Sequence, residues 1–145
     1  MTIREVFEAA KAAGDLRGML DAVPYTRFLG LDAEVQAGEL ITTLRYAPHL
    51  IGNPALPALH GGTLGALLES AAIFELIWRS ETIVLPKTIT FTVDYLRSGA
   101  ARDTYAHASI TRQGRRVANV RVEAWQTDRA MPVATAHAIF LVMRD

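Results

Sequence analysis

Residues 59–69 read LHGGTLGALLE and are the most informative stretch of this chain. It joins two adjacent glycines, Gly61 and Gly62, to an apolar run that carries a single carboxylate, Glu69. Glycine lets a backbone approach a ligand closely, and the first turn of a helix offers unpaired N–H groups and the positive end of a dipole. The pattern therefore predicts a site where backbone N–H groups stabilise a developing negative charge and Glu69 acts as base or nucleophile.

The spacing of these groups has a consequence for assembly. Glu69 follows Gly61 by eight residues, which is about 12 Å along a helix axis. One chain can hardly aim both groups at a single atom. The simplest arrangement in which they act together is a two-fold homodimer, where antiparallel copies of the helix bring Glu69 of one chain to Gly61 of the other.

The composition bounds the class of protein. With 145 residues, half of them hydrophobic, the chain is expected to form one domain over 1–145, with 1–24 as an N-terminal helical segment. Fifteen acidic and fifteen basic side chains balance, so no overall field favours nucleic acid or an anionic membrane. The absence of cysteine excludes disulfides and a thiolate nucleophile and favours a reducing cytoplasm.

No membrane segment is expected. The start of the chain carries acidic residues and lacks the apolar core of a signal peptide. The longest apolar stretch, over 62–78, is interrupted by Glu69 and Glu75 and is too short to span a bilayer. We therefore expect a soluble protein.

Periodicity and breakers divide the chain into helices and strands. Thr2 and Glu5 fit a capping box for a first helix that Gly14 ends, a short helical piece follows over 15–21, and Pro24 breaks the pattern. Three prolines make the loop 47–60 irregular. The predicted helix of 62–79 is apolar on nearly all sides, as a buried element is. Strands are predicted over 28–36, 39–46, 87–97, 103–113, 115–127 and 133–143.

This order predicts an α+β fold in which a long antiparallel sheet wraps around a central α-helix. Over 25–143 the chain also resembles the PaaI-type acyl-CoA thioesterases of the hotdog fold. The resemblance rests on His60-Gly61-Gly62 with Glu69 nine residues after the histidine, on TFTVDYLR at 90–97 and on RQGRRV at 112–117.

The resemblance implies roles for several residues. The N–H of Gly61 would polarise a thioester carbonyl, Glu69 would act on that carbonyl or on water, and His60 would position the loop. Asn53 would orient the carbonyl or the water, and Thr88 would assist the water. A turn-forming asparagine and an ordinary strand threonine are the alternative interpretations of the last two.

Substrate contacts are expected from Gly62 and from the arginines. Arg115 and Arg116 flank a predicted turn, and Arg97 ends a predicted strand; guanidinium groups suit the phosphates of coenzyme A. Glu75 is four residues before Arg79, so we expect an exposed ion pair there and no catalytic role. The four histidines lack metal-ligand spacing, and neither a metal nor another cofactor is expected.

The leading hypothesis is a homodimer or dimer of dimers that hydrolyses an acyl-CoA thioester, without nucleic-acid or membrane partners. No Gly-x-Ser-x-Gly elbow occurs, which disfavours a serine hydrolase. A hotdog hydratase or dehydratase and a non-catalytic acyl-CoA-binding protein are the alternatives. The acyl group, and the choice between base and nucleophile for Glu69, stay open.

Overall fold

The computed structural model describes residues 1–81 and 83–143. A six-stranded antiparallel sheet curves around one long helix, which confirms the α+β prediction. The strand order across the sheet is β1-β2-β6-β7-β8-β5, and β3 and β4 form a separate two-stranded ribbon. The strands are β1 Leu31–Gln36, β2 Glu39–Leu44, β3 Ile51–Asn53, β4 Ala58–Leu59, β5 Lys87–Tyr95, β6 Thr104–Gln113, β7 Val117–Trp125 and β8 Ala134–Leu141.

The central helix is the fourth along the chain. The helices are α1 Ile3–Ala12, α2 Leu16–Asp21, α3 Pro24–Leu29 and α4 Gly61–Arg79. Side chains of α4 such as Leu67 and Leu68 are fully buried. The strands beneath α4 alternate buried and more exposed residues, and their buried positions are largely alanine, as at Ala106 and Ala136. Small side chains on this inner face let the apolar helix lie close to the sheet.

One helix of the described residues, α4, has the length and hydropathy of a membrane span. It is the core helix of the fold, and its apolar composition is explained by the sheet that encloses it. The predicted cytoplasmic location stays a prediction.

The first helix, α1, contacts the C-terminal end of α4 through Lys11. The predicted capping box is present: Thr2 Oγ1 accepts from the Glu5 N–H at 3.2 Å, and the Thr2 N–H donates to Glu5 Oε2 at 2.6 Å. Lys11 Nζ donates to the carbonyl oxygens of Ile77, at 3.0 Å, and of Ser80. This ammonium therefore caps the C-terminus of α4, and its burial lowers the pKa of Lys11.

Two local predictions were wrong. Pro24 does not end a helix but begins α3, because proline fits the first helical turn; α3 ends at Gly30, with φ 75°, and β1 starts only at Leu31. The loop 47–60 is not wholly irregular, since it holds a 3-10 turn Pro48–Leu50 and the ribbon of β3 and β4. Its other two prolines lie between these strands.

Strand β5 is an edge of the sheet. It pairs with β8, and its other edge has no partner strand among the described residues. Its residues are mostly exposed, including Ile89 and Tyr95, which are 57% and 55% exposed. A nine-residue strand that carries exposed apolar side chains and has a free edge is a surface that a second chain can extend.

Candidate active site

The ribbon of β3 and β4 delivers the chain to the start of α4. The His60 N–H donates to the Leu50 carbonyl at 2.8 Å, and the Leu59 N–H donates to the Gly99 carbonyl at 2.9 Å. His60 is the N-cap of α4, and its Nδ1 accepts from the Gly62 N–H at 2.8 Å. The imidazole thus satisfies one of the free donors of the helix start.

Glycine is required on both sides of this imidazole. A Cβ at Gly62 would lie 2.9 Å from His60 Nδ1, and a Cβ at Gly52 would lie 2.7 Å from His60 Cα. The Gly62 N–H donates to His60 Nδ1, and the Thr63 N–H donates to the His60 carbonyl at 2.9 Å, whereas the Gly61 N–H has no acceptor among residues 1–81 and 83–143. The helix start therefore presents the Gly61 N–H as an unoccupied donor.

Tyr95, the last residue of β5, contacts Gly61 at the start of α4. The sequence alone did not indicate this contact. The Tyr95 hydroxyl donates to the Gly61 carbonyl at 2.8 Å, and a Cβ at Gly61 would lie 3.3 Å from its ring. Tyr95 pairs with Ala134, which is buried, so its side chain is on the helix side of the sheet. The alternation of β5 was the available signal.

Glu69 and Thr88 are brought together. Thr88 pairs with buried Phe140 and so faces α4, and its hydroxyl donates to Glu69 Oε2 at 3.0 Å. Glu69 is half-buried, and its Oε1 has no hydrogen bond to another residue in the described part of the chain. The carboxylate is therefore held by one oxygen and available through the other.

Gly61 and Glu69 stay apart within one chain. Both lie on α4, eight residues and about 12 Å apart along its axis. The two halves of the predicted site, the Gly61 N–H beside Tyr95 and the Glu69 carboxylate beside Thr88, are thus separate in a single protomer.

Asn53 and Arg97 are close along the chain to residues of the Gly61 half: Asn53 pairs with Ala58 in the ribbon that leads to His60, and Arg97 follows Tyr95 by two residues. Asn53 Oδ1 accepts from the Ala55 N–H at 3.0 Å, so the asparagine forms a turn. Arg97, just beyond β5, donates to the Pro132 carbonyl. The structure does not bring Arg97 together with Arg115 and Arg116.

The sheet register shows how far Arg97 is from Arg115 and Arg116. Val117, next to Arg116, pairs with Leu141, which pairs with Lys87 at the start of β5. Arg97 follows the other end of β5, which is about 26 Å away along a strand of this length.

Arg115 and Arg116 line an open groove of about 1340 Å³ at the C-terminal end of α4. Arg112 and Arg79 line it as well, and Glu81 is the one acidic residue of the lining within the described ranges. The three arginines of the hairpin are exposed and form no side-chain ion pair with a described residue. The groove is therefore cationic, and Arg79 was not predicted to be part of it.

The ion pair of Glu75 and Arg79 is present, with Arg79 Nε 2.8 Å from Glu75 Oε1, but the prediction of an exposed pair was wrong. Glu75 is 6% exposed, because this turn of α4 packs beside the β1–β2 hairpin, where Arg79 Nη2 donates to the Gly38 carbonyl at 2.5 Å. No group of three or more His, Cys, Asp or Glu side chains in the described ranges is placed to hold a metal ion.

Comparison with known proteins identifies the family. Residues 52–141 match the model of the acyl-CoA thioesterase N-terminal domain. The chain is 30% identical to the medium/long-chain acyl-CoA thioesterase YigI of Escherichia coli K12, over 93% of this chain and 94% of YigI.

Solved structures agree with the match. A Chromobacterium violaceum protein superposes with a TM-score of 0.79 at 39% identity, over 97% of this chain and 98% of that protein. PaaI of E. coli superposes with a TM-score of 0.77 at 19% identity, over 99% of this chain and 97% of PaaI, and shows the shared hotdog fold. The chain therefore belongs to the acyl-CoA thioesterase family, a family of thioester hydrolases, as its motifs predicted.

Proposed function

We propose that this protein hydrolyses an acyl-CoA thioester to the free acid and coenzyme A, with Glu69 as the catalytic carboxylate. The observation that carries this proposal is the Glu69–Thr88 pair, in which the Thr88 hydroxyl holds Oε2 at 3.0 Å and leaves Oε1 without a described partner. Since YigI is a medium/long-chain acyl-CoA thioesterase, we expect medium and long acyl chains to be the best substrates.

Two routes use the same geometry. In the first, Glu69 takes a proton from water, the water oxygen bonds to the carbonyl carbon, the C–S bond breaks, and the thiolate leaves and is protonated. In the second, Glu69 itself attacks the carbonyl, the thiolate leaves, and water hydrolyses the resulting anhydride. In both, the Gly61 N–H stabilises the oxyanion, a contribution of about 3 kcal/mol in comparable enzymes.

Both routes require Glu69 to meet a Gly61 N–H, so we propose a site shared across a homodimer, which forms the whole protein or half of a dimer of dimers. The half-buried face of α4 that includes Gly61, Gly65, Ala66 and Glu69 is lined largely by small residues, which permits a close helix–helix approach. Antiparallel packing of two α4 helices on this face brings Glu69 to the partner's Gly61. The open edge of β5 provides a second surface for the same pairing.

The groove beside Arg115 and Arg116 is proposed to take the nucleotide phosphates. The groove lies close to Glu69 of the same chain. Thr88, which contacts Glu69, follows Lys87, and Lys87 is two strands from Val117 beside the groove, or about 10 Å. The pantetheine arm of coenzyme A would connect the groove to the thioester.

We also propose roles for three residues of the half-site that contains Gly61. We propose that Gly62 fixes His60 and that Arg97 contacts substrate in the site that contains its own Gly61. Asn53 remains a candidate to orient the carbonyl or the water through its Nδ2, which has no described partner.

The test is thiol release from acyl-CoA esters of short, medium and long chain, with Glu69→Ala and the isosteric Glu69→Gln. Because the carboxylate acts on the reacting centre, kcat is expected to fall by about 10³-fold or more while KM changes little. Glu8→Gln, at an exposed glutamate of α1, serves as the matched control and should equal the parent.

Turnover of the Glu69 variants within a few-fold of the parent would reject Glu69 as the catalytic group. A parent that binds acyl-CoA without releasing thiol would instead be a binding protein. Spectroscopic formation of an enoyl thioester would identify a dehydratase.

A further inference from the structure

Glu75 is a buried carboxylate that contacts Arg79 of the cationic groove. It has no role in the proposed hydrolysis. The Glu75 side chain is 8% exposed, its Oε1 accepts from Arg79 Nε at 2.8 Å, and its Oε2 has no hydrogen-bond partner among the residues that the structure describes. A buried charge with an unsatisfied oxygen is costly to folding. Stability therefore does not explain a glutamate at position 75, which points to a functional role for its carboxylate.

Its partner Arg79 is fixed at two points. Nε donates to Glu75, and Nη2 donates to the Gly38 carbonyl at 2.5 Å, so α4 and the β1–β2 hairpin both hold the guanidinium group. A guanidinium has five N–H donors, and two are used in these contacts. Arg79 is 45% exposed and lines the groove, so its remaining donors are available there.

Arg79 differs in this respect from the arginines across the groove. Arg112, Arg115 and Arg116 lie on an exposed hairpin and have no described side-chain partner, so each loses side-chain entropy when it contacts a ligand. Arg79 is already ordered. A preorganised guanidinium fork binds a phosphate with a smaller entropic cost than a free one.

We propose that Arg79 binds a phosphate of the nucleotide part of coenzyme A and that Glu75 is a positioning residue that holds Arg79 for this contact. This inference rests on the proposed function for the identity of the ligand. These two residues of α4 then determine how strongly the enzyme distinguishes a coenzyme A ester from a pantetheine ester.

The direction in which Glu75→Gln changes the affinity for coenzyme A distinguishes a positioning role from a purely electrostatic one. Glu75→Gln removes a negative charge close to the groove, so a purely Coulombic role predicts tighter binding of phosphates. If Glu75 holds Arg79 in place, the same substitution loosens the guanidinium and weakens binding. We expect weaker binding.

The experiment measures two quantities. One is the KM for thiol release from an acyl-CoA and from the matched acyl-pantetheine. The other is the Kd of coenzyme A itself by calorimetry, which needs no turnover.

For Arg79→Met we expect about a tenfold rise in the Kd of coenzyme A and in the KM of acyl-CoA, with kcat and the KM of acyl-pantetheine nearly unchanged. Glu75→Gln should shift the same two values in the same direction by about three- to tenfold. Arg121→Ala, at an exposed arginine whose strand partner His137 is also exposed, is the control and should leave all values unchanged.

Arg79→Lys keeps the positive charge and loses the planar guanidinium group. It tests whether that group binds the phosphate even if Glu75→Gln fails to fold. A several-fold weakening of coenzyme A binding supports the inference, whereas parental affinity in Arg79→Lys and Arg79→Met overturns it. An equal loss for both ester types also overturns it, because pantetheine esters carry no nucleotide phosphate.

The two proposals can fail separately. Thiol release by the parent together with parental affinity in the Arg79 variants leaves the hydrolysis standing and removes this inference. Absence of thiol release from every acyl-CoA, together with coenzyme A binding that depends on Arg79, removes the hydrolysis and leaves this inference standing.

Discussion

At the scale of single residues, Gly52 sets the position of His60. A Cβ at Gly52 would lie 2.7 Å from His60 Cα, which is backbone and cannot rotate away. The displacement would pass to the His60–Gly62 hydrogen bond and so to the Gly61 N–H beside it. Gly52 has no chemistry of its own, yet it determines where the backbone donor points.

We predict that Gly52→Ala lowers kcat by about tenfold or more, because displacements of about 1 Å at a reacting centre have effects of this size. Thiol-release kinetics at a temperature well below the melting point measures it. Gly14→Ala is a matched control: Gly14 has φ +66° and its Cβ would meet nothing within 4 Å, so it should lose stability and keep kcat. Equal kcat values for both variants would contradict the prediction.

The site residues that the sequence predicts differ in kind from the two contacts that only the structure shows. Gly61, Gly62 and Glu69 lie on one helix, and their spacing alone indicates a donor and a carboxylate. Tyr95 and Arg79 act through contacts with segments distant in sequence, Tyr95 with Gly61 and Arg79 with Gly38. Local periodicity carries no information about such contacts.

At the scale of secondary-structure elements, the sequence likewise predicts local features but not the contacts between distant segments. The capping box of α1 was readable from four residues, whereas Pro24 fits both the end of one helix and the start of another. Glu75 had the spacing of an exposed pair, and only the packing of α4 beside the β1–β2 hairpin buries it.

An ion-pair cluster joins several elements on the outer face of the sheet. Arg129, after β7, donates to both carboxylate oxygens of Glu39 on β2, at 3.0 Å each, and to Glu123 on β7 at 2.8 Å. His107 Nε2 is 2.9 Å from Glu39 Oε2. The hydrogen bonds from Arg129 lower the pKa of Glu39 below its ordinary value and raise that of Arg129.

This pKa shift predicts how stability depends on pH. A carboxyl whose folded pKa is lowered contributes stability above its unfolded pKa, of about 4.3, and loses it as pH falls through the folded value. Glu39→Gln should therefore reduce the free energy of unfolding at pH 7 by about 1 kcal/mol or less, since the pair is partly exposed and screened.

Urea unfolding of the parent and Glu39→Gln at pH 7 and near pH 3 measures this change. The difference between the two proteins should shrink at the lower pH, because the stability contributed by a carboxyl of lowered pKa is lost as the pH falls through its folded value. Glu34→Gln, at an exposed residue of β1, is the control. A difference that is the same at both pH values would show that the pair does not contribute through ionisation.

At the scale of the whole molecule, charge is balanced in total and separated in space. The chain has fifteen acidic and fifteen basic side chains, yet the groove at the end of α4 is lined by four arginines. An anionic substrate is thus met by a local field and not by the protein as a whole. Strand β5 has an open edge, and the half-buried face of α4 carries Gly61 and Glu69; in the shared site that we propose, a second chain covers both.

The shared site is tested with two inactive variants. Glu69→Ala removes the carboxylate, and Gly61→Pro removes the backbone donor. The backbone suits proline here, because Gly61 is the first residue of α4 and His60 before it has φ −62° and ψ 130°, values that favour a following proline. The proline Cβ would lie 3.3 Å from the Tyr95 ring, which has to shift by a few tenths of an ångström, so the fold of this variant is checked before its activity is measured. Each homodimer should be folded and inactive.

In a heterodimer of the two variants, one site contains both defects and the other contains neither. Co-expression with two affinity tags and sequential purification should therefore restore up to half of the parental kcat per dimer, because one of two sites is intact. Two Glu69→Ala chains carrying the same two tags form the matched control and stay inactive. If Glu69 and Gly61 acted within one chain, both protomers of the heterodimer would be defective and no activity would return. That result, or an active parent that sediments as a monomer, would contradict the shared site even if Glu69 proved essential.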